Sequence, residues 1–143
     1  MFGFGKKVFK SAKKAANQNQ MEAIVAGAML VAAADGEIER SELAKLEALI
    51  ANNENMSAFK RQEIQKVIQK YSGILEADFH VGRSKMLKEI GDVSDNPEAA
   101  EEVFLNMLAI AKSDGEIEPA EAKVLIDVAR RIGVDASEYG VAV

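Results

Sequence analysis

The sequence predicts an all-α fold of about seven helices, and three observations carry that reading. Apolar residues recur at helical spacing, and no stretch alternates apolar and polar residues with the period of two that a half-buried strand requires. One acidic octapeptide occurs twice, as Asp35-Gly36-Glu37-Ile38-Glu39-Arg40-Ser41-Glu42 and as Asp114-Gly115-Glu116-Ile117-Glu118-Pro119-Ala120-Glu121. Six of its eight positions are identical, at an offset of 79 residues (114 minus 35). Each copy follows a densely apolar helix and precedes an amphipathic one, and a period of 79 is too long for a solenoid unit. The expected architecture is therefore two helix pairs related by an approximate two-fold axis, with buried central helices. The helices between Phe59 and Ile90 would connect and cover them.

Residues 1–16 form a basic arm, with Phe2, Phe4, Val8 and Phe9 set among five lysines and no acid. That is the composition of a short interfacial helix; a frayed terminus whose aromatics pack on the body is the alternative. Asn17 to Gln20 reads as a polar hinge into a single helical domain over 17–143. From Met21 to Ala34 the chain is almost purely apolar, and Gly27 allows a close approach. The helix after the first octapeptide places Leu43, Leu46, Leu49 and Ile50 on its buried side and ends at Asn52-Asn53-Glu54-Asn55. Helical spacing returns at Phe59, Ile64, Val67, Ile68 and Tyr71, with Gly73 as an expected stop. A further helix from about Asp78 to Ile90 turns Phe79, Leu87 and Ile90 inward. Asn96-Pro97-Glu98 is a sharp helix start, with a cap, proline in the first position and an acid in the first turn. The buried helix it opens carries Val103, Phe104, Leu105, Met107, Leu108 and Ile110. After the second octapeptide come Val124, Leu125, Val128 and Ile132, a stop at Gly133, and one last turn capped within Asp135-Ala136-Ser137-Glu138.

Composition narrows the chemistry. With 143 residues and 48% hydrophobic content, one domain can bury a real core. The absence of cysteine removes disulfides, thiolate metal sites and thiol redox chemistry. His80 is the only histidine, and its place on an amphipathic helix suits a surface or partly buried role better than catalysis. Any metal site must then use oxygen donors, which favours calcium, magnesium or manganese. The net charge is −5, and setting aside the arm's five lysines leaves 13 basic against 23 acidic residues, or −10. Such a body argues against nucleic acid as a partner and for cations or basic partners. No apolar run reaches a membrane-spanning length, and lysines interrupt the start in a way unlike a signal peptide, so a cytoplasmic protein is expected.

The octapeptides have a purely structural reading. Gly36 and Gly115 can end one helix, Glu39 and Glu118 sit at the cap of the next, and Glu42 and Glu121 fall at its third position, where carboxylates suit the helix dipole. Capping alone asks for less than is supplied, because glutamate is a poor cap and four carboxylates within eight positions repel without a counter-charge. Each copy also matches the second half of an EF-hand loop, but the first half, with Val31 and Ala33 or Ile110 and Lys112, offers no carboxylate. A shared ion would overcome this if the two-fold axis brings the corners together. The candidate metal ligands are Asp35, Glu37, Glu39, Glu42, Asp114, Glu116, Glu118 and Glu121. An acidic surface that docks a basic partner without metal is the competing reading. A metal-dependent hydrolase is a third, although the chain shows no nucleophile motif or phosphate-binding glycine loop.

Beyond these readings, the chain resembles the TerB family of tellurite resistance proteins over almost its whole length. The residues that carry the resemblance are Ala111-Lys112-Ser113-Asp114-Gly115 and the matching Ala33-Ala34-Asp35-Gly36, joined by Asn96-Pro97-Glu98-Ala99-Ala100 and Arg131-Ile132-Gly133-Val134-Asp135. Ala34, where the second copy has Ser113, departs from the usual first motif. The resemblance implies an all-helical, pseudo-two-fold fold and an acidic surface that binds metal ions. It further implies a non-catalytic role in tellurite resistance and stress response. The implied partners are other Ter proteins, including the membrane protein TerC, at the inner face of the membrane, where a basic arm could make peripheral contact.

Overall fold

A helix with no polar face is stable only when other elements surround it. The computed structural model describes residues 18–36 and 38–141, and all of their side chains except those of Asn55 and Asp114. Within it the run from Met21 onward forms α1 (Gln18–Ala32), whose residues from Ala23 to Val31 are all buried. Five further helices pack around it: α2 (Arg40–Ala51), α3 (Arg61–Ala77), α4 (Phe79–Gly91), α5 (Pro97–Ala111) and α6 (Pro119–Ile132). Short 3₁₀ turns occupy Glu54–Met56, Lys112–Asp114 and Ala136–Tyr139, and no strand occurs among the described residues. The all-α expectation holds, with six α-helices and three single turns in the described chain.

The two buried helices core each other. α1 touches all five of the others and packs most extensively on α5. Their close approach is set by Gly27, where an added Cβ would lie 2.9 Å from Met107 Cγ and Sδ and 3.3 Å from Val103 Cγ1. The duplication extends to individual backbone bonds. Gly36 N donates to Ala33 O and Gly115 N to Lys112 O, both at 2.9 Å, and Leu43 N donates to Glu39 O as Ala122 N does to Glu118 O, again both at 2.9 Å. All four bonds obey the 79-residue offset.

Several element ends follow the expected chemistry. Asn96 Oδ1 accepts from Ala99 N at 3.2 Å with Pro97 next, and Gly133 closes α6 in the left-handed conformation at φ 79°. Asp78 serves twice, ending α3 and accepting from Val81 N at 2.9 Å to start α4.

Three expectations are corrected. The polar stretch read as a hinge is already helical from Gln18, and the ion pair of Lys70 Nζ with Glu22 Oε1, 2.9 Å apart, holds this first turn of α1 against α3. Gly73 does not stop α3. The helix runs through it to Ala77 because Leu75, two residues beyond, is buried, and tertiary burial outweighs the modest cost of an exposed helical glycine. Leu49, expected inside, is 42% exposed. The arm over 1–16 and Glu37 lie outside the described residues.

Candidate functional site at the acidic corners

Each octapeptide builds the same corner. Gly36 and Gly115 turn the chain with φ of 108° and 104°, a backbone region that costs a side-chain-bearing residue dearly, and an added Cβ at either would meet nothing within 4 Å. The glycines are therefore there for the turn and not for close packing. Ile38 and Ile117, both partly buried against the core, then pin the corner down. Glu39 and Glu118 take the cap positions of α2 and α6 in extended conformation, as the spacing predicts. Glu118 N donates to Glu121 Oε1 at 2.8 Å, so Glu121 satisfies one of the amides that a helix start leaves unpaired.

The last position of each octapeptide faces a common groove. A groove of about 290 Å³ is walled by Ala32 at the end of α1, Glu42, Lys45, Leu46 and Leu49 of α2, Ile110 and Ser113 at the end of α5, and Glu121 of α6. Glu42 and Glu121 occupy the same octapeptide position and face one groove. Lys45 stands beside them, and the exposed face of Leu49 is one of its walls. Ser113 Oγ donates to Ile110 O at 2.8 Å, which leaves its oxygen lone pairs available.

Asp35, Glu39, Glu116 and Glu118 are exposed on the turns. Glu37 and the side chain of Asp114 are not described, so the separation of Asp35 from Asp114 is not part of the described geometry. Among the described residues, no three His, Cys, Asp or Glu side chains converge closely enough to hold a metal ion. The donor chemistry, oxygen only, nevertheless suits a hard divalent cation.

A second polar feature escaped the sequence reading. Glu102, on the buried helix α5, has no exposed surface, and Asn106 one turn on is 6% exposed. Asn106 Nδ2 donates to Glu102 Oε1 and to Glu102 O, each at 2.9 Å, and Asn53 Nδ2 donates to Asn106 Oδ1, which ties the segment after α2 to α5. Glu102 Oε2 has no partner among the described residues. Burial pushes the Glu102 carboxyl up to about 8, against the Asn106 hydrogen bond and with a smaller push from Glu101. The signal was available: on a helix apolar all round, Glu102 and Asn106 are four apart and share a face.

These features define an internally duplicated, all-helical domain in which one glutamate of each acidic corner lines a shared groove. Its family follows from comparison with known proteins. The family described as "Tellurite resistance protein TerB" matches residues 21–142, and the chain belongs to that family. No curated protein and no solved structure matches it. No helix among the described residues is long and apolar enough to cross a membrane.

Proposed function

We propose that this chain is a non-enzymatic tellurite-resistance and stress-response protein that binds a divalent cation at its acidic corners. The observation that carries the reading is that Glu42 and Glu121, equivalent positions of the two octapeptides, line a single groove. Four carboxylates in each corner repel one another, and a hard cation bound by oxygen donors relieves that repulsion beyond what the single charge of Lys45 in the groove supplies. In this proposal the groove supplies Glu42, Glu121 and the Ser113 hydroxyl, and the turns supply Asp35 and Asp114. Calcium, magnesium and manganese are the favoured ions. The domain then acts in the cytoplasm as a scaffold for membrane-associated Ter proteins, TerC among them, with residues 1–16 at the inner face of the membrane.

The test is calorimetry of the full chain with calcium, magnesium, manganese and zinc, repeated on Glu42→Gln with Glu121→Gln and on Asp35→Asn with Asp114→Asn. Saturable binding that both double variants weaken by about ten-fold or more supports the proposal. Binding that neither variant changes removes the corners as the site.

One observation favours a second reading. Lys45 already places a positive charge in the groove, and Leu49 gives it an apolar wall, so the groove could dock a basic, partly apolar segment of a partner without metal. Partner capture that survives a chelator and is lost in the Glu42/Glu121 variant distinguishes this interaction module from the cation site.

A further inference from the structure

The 79-residue duplication breaks at one place inside the body. Glu102, Asn106 and Asn53 stand where the other half of the domain has Ala23, Gly27 and Ile132, each 79 residues away, and those three are all buried. Small or apolar residues thus fill the positions in one half, and a hydrogen-bonded chain from Glu102 through Asn106 to Asn53 fills them in the other. Burying polar groups costs free energy that the apolar set does not, so the packing of this fold does not call for the chain. The helix ends differ at the same point. α6 runs to Ile132, whereas α2 stops at Ala51, two residues before the equivalent Asn53.

The segment that Asn53 ties to α5 has little else to fix it. Among the described residues, the backbone hydrogen bonds donated over 52–59 stay within the segment or reach back to the end of α2, and none joins another helix. Asn52, Glu54, Ser57 and Ala58 are exposed, and Met56 is its one buried side chain among those described. Glu102 Oε2, with no partner among the described residues, would need water once ionised. Displacing this short segment admits water at a lower cost than parting α5 from α1 or α6, the helices packed on it.

Glu101 is the one charge that acts on Glu102, and its Oε2 accepts from Tyr139 Oη at 2.8 Å. The packed elements offer no counter-charge. Glu22, the one charged residue of α1, is paired with Lys70, and Glu54 of the segment is exposed. On α6, Glu121 and Asp127 are bonded to Glu118 N and Arg83, and Lys123, Arg130 and Arg131 are exposed.

We propose that Glu102, Asn106 and Asn53 form a proton-linked clasp: with Glu102 neutral the segment 52–59 is held on α5, and ionisation of Glu102 releases it. Release frees the end of α2, the helix that carries Glu42 and Lys45 of the acidic groove. The device does not depend on cation binding at the corners and is read without metal. Closed, the carboxyl keeps its proton to about pH 8; released into water, it ionises as an ordinary carboxyl near 4.5. Opening is therefore rarest below the lower value, rises by about ten-fold per pH unit through the window, and levels off above the upper one.

The experiment is native-state hydrogen exchange on the isotope-labelled full chain without metal, from about pH 5 to about pH 8.5, each rate corrected for the intrinsic pH dependence of amide exchange. The amides of Asn53, Met56 and Phe59 are expected to open about ten-fold or more above Val25 of α1. Their opening should rise by about ten-fold per pH unit up to about pH 8 in the parent, and by less than about two-fold over the whole range in Glu102→Gln. Exchange of these amides at the rate of Val25 would mean that they open only with the whole molecule, and would overturn the proposal. So would opening that ignores pH in the parent, or that keeps its pH dependence in Glu102→Gln. If that variant does not fold, the Glu102 side-chain carboxyl carbon is titrated by NMR in the parent beside the same amides. A shared midpoint is then expected, and separate midpoints overturn the clasp.

Discussion

Glu102 sets the strongest test at the scale of single residues. A carboxyl with no exposed surface and one unpartnered oxygen is held in the neutral form, and its carboxyl is accordingly pushed from an ordinary 4.5 to about 8. The unfolded chain ionises this group above about pH 4.5 while the folded chain keeps its proton to about pH 8. The neutral form's stability contribution is therefore complete below the lower value. It declines by about 1.4 kcal/mol per pH unit across the window and is lost as the pH passes the upper one. Glu102→Gln does not titrate, and its carbonyl can keep the Asn106 hydrogen bond. Urea unfolding should find this variant more stable than the parent by about 2 kcal/mol at about pH 7.5, after allowance for one newly buried amide donor, and no more stable at about pH 4.5. A stability difference independent of pH would mean that Glu102 is already ionised in the fold. Nothing in the dipeptide Glu101-Glu102 marks which glutamate is buried. The sequence does place 102 on the face of Ala99 and Asn106, and that the helix had no exposed side was itself legible. The corner carboxylates were legible for the opposite reason: cap positions are local, and Glu39, Glu42, Glu118 and Glu121 stand where turn chemistry alone puts them.

Helix ends and helix contacts separate in the same way at the scale of elements. Caps depend on a few adjacent residues, so Asn96-Pro97, Gly133 and the two corner glycines were readable. Contacts between helices depend on residues far apart in the chain, and no local signal distinguishes Gly73 from Gly82. The structure does. Gly73 lies on the exposed side of α3 with nothing within 4 Å of an added Cβ, whereas at Gly82 that Cβ would sit 2.9 Å from Ile74 O and 3.0 Å from Ile74 Cγ2, where α4 crosses α3. A backbone carbonyl cannot step aside as a flexible side chain can. Gly73→Ala should therefore stabilise the protein by about 0.5–1 kcal/mol through helix propensity. Gly82→Ala should lose that gain to the clash and come out destabilised by about 1–2 kcal/mol. Thermal unfolding of the two variants side by side checks both, and a stabilised Gly82→Ala would show that the α3–α4 contact is looser than drawn. Leu49 illustrates the same limit, since its spacing assigned it to the core although the groove it lines exists only once α2, α5 and α6 have met.

For the whole molecule, the separation of charge between arm and body is the property that sequence shows and packing does not alter. The five lysines of residues 1–16 stand against a remainder of −10, a body that an anionic bilayer repels. Membrane contact, if made, must therefore come from the arm. Each lysine near an anionic surface contributes about 1 kcal/mol and the interleaved phenylalanines add apolar burial, so the two signals that durable peripheral binding needs are both present. Deleting residues 1–16 should leave the helical circular dichroism of the domain in place, because the family match begins only at Met21. It should cut co-sedimentation with phosphatidylserine-containing vesicles by about ten-fold or more at low salt. Replacing the five lysines by glutamine should lose most of the same binding, while replacing Phe2, Phe4 and Phe9 by serine should weaken it less at low salt and more at high salt, where screening leaves the apolar term dominant. Vesicle binding that survives deletion of the arm would move the contact onto the folded body.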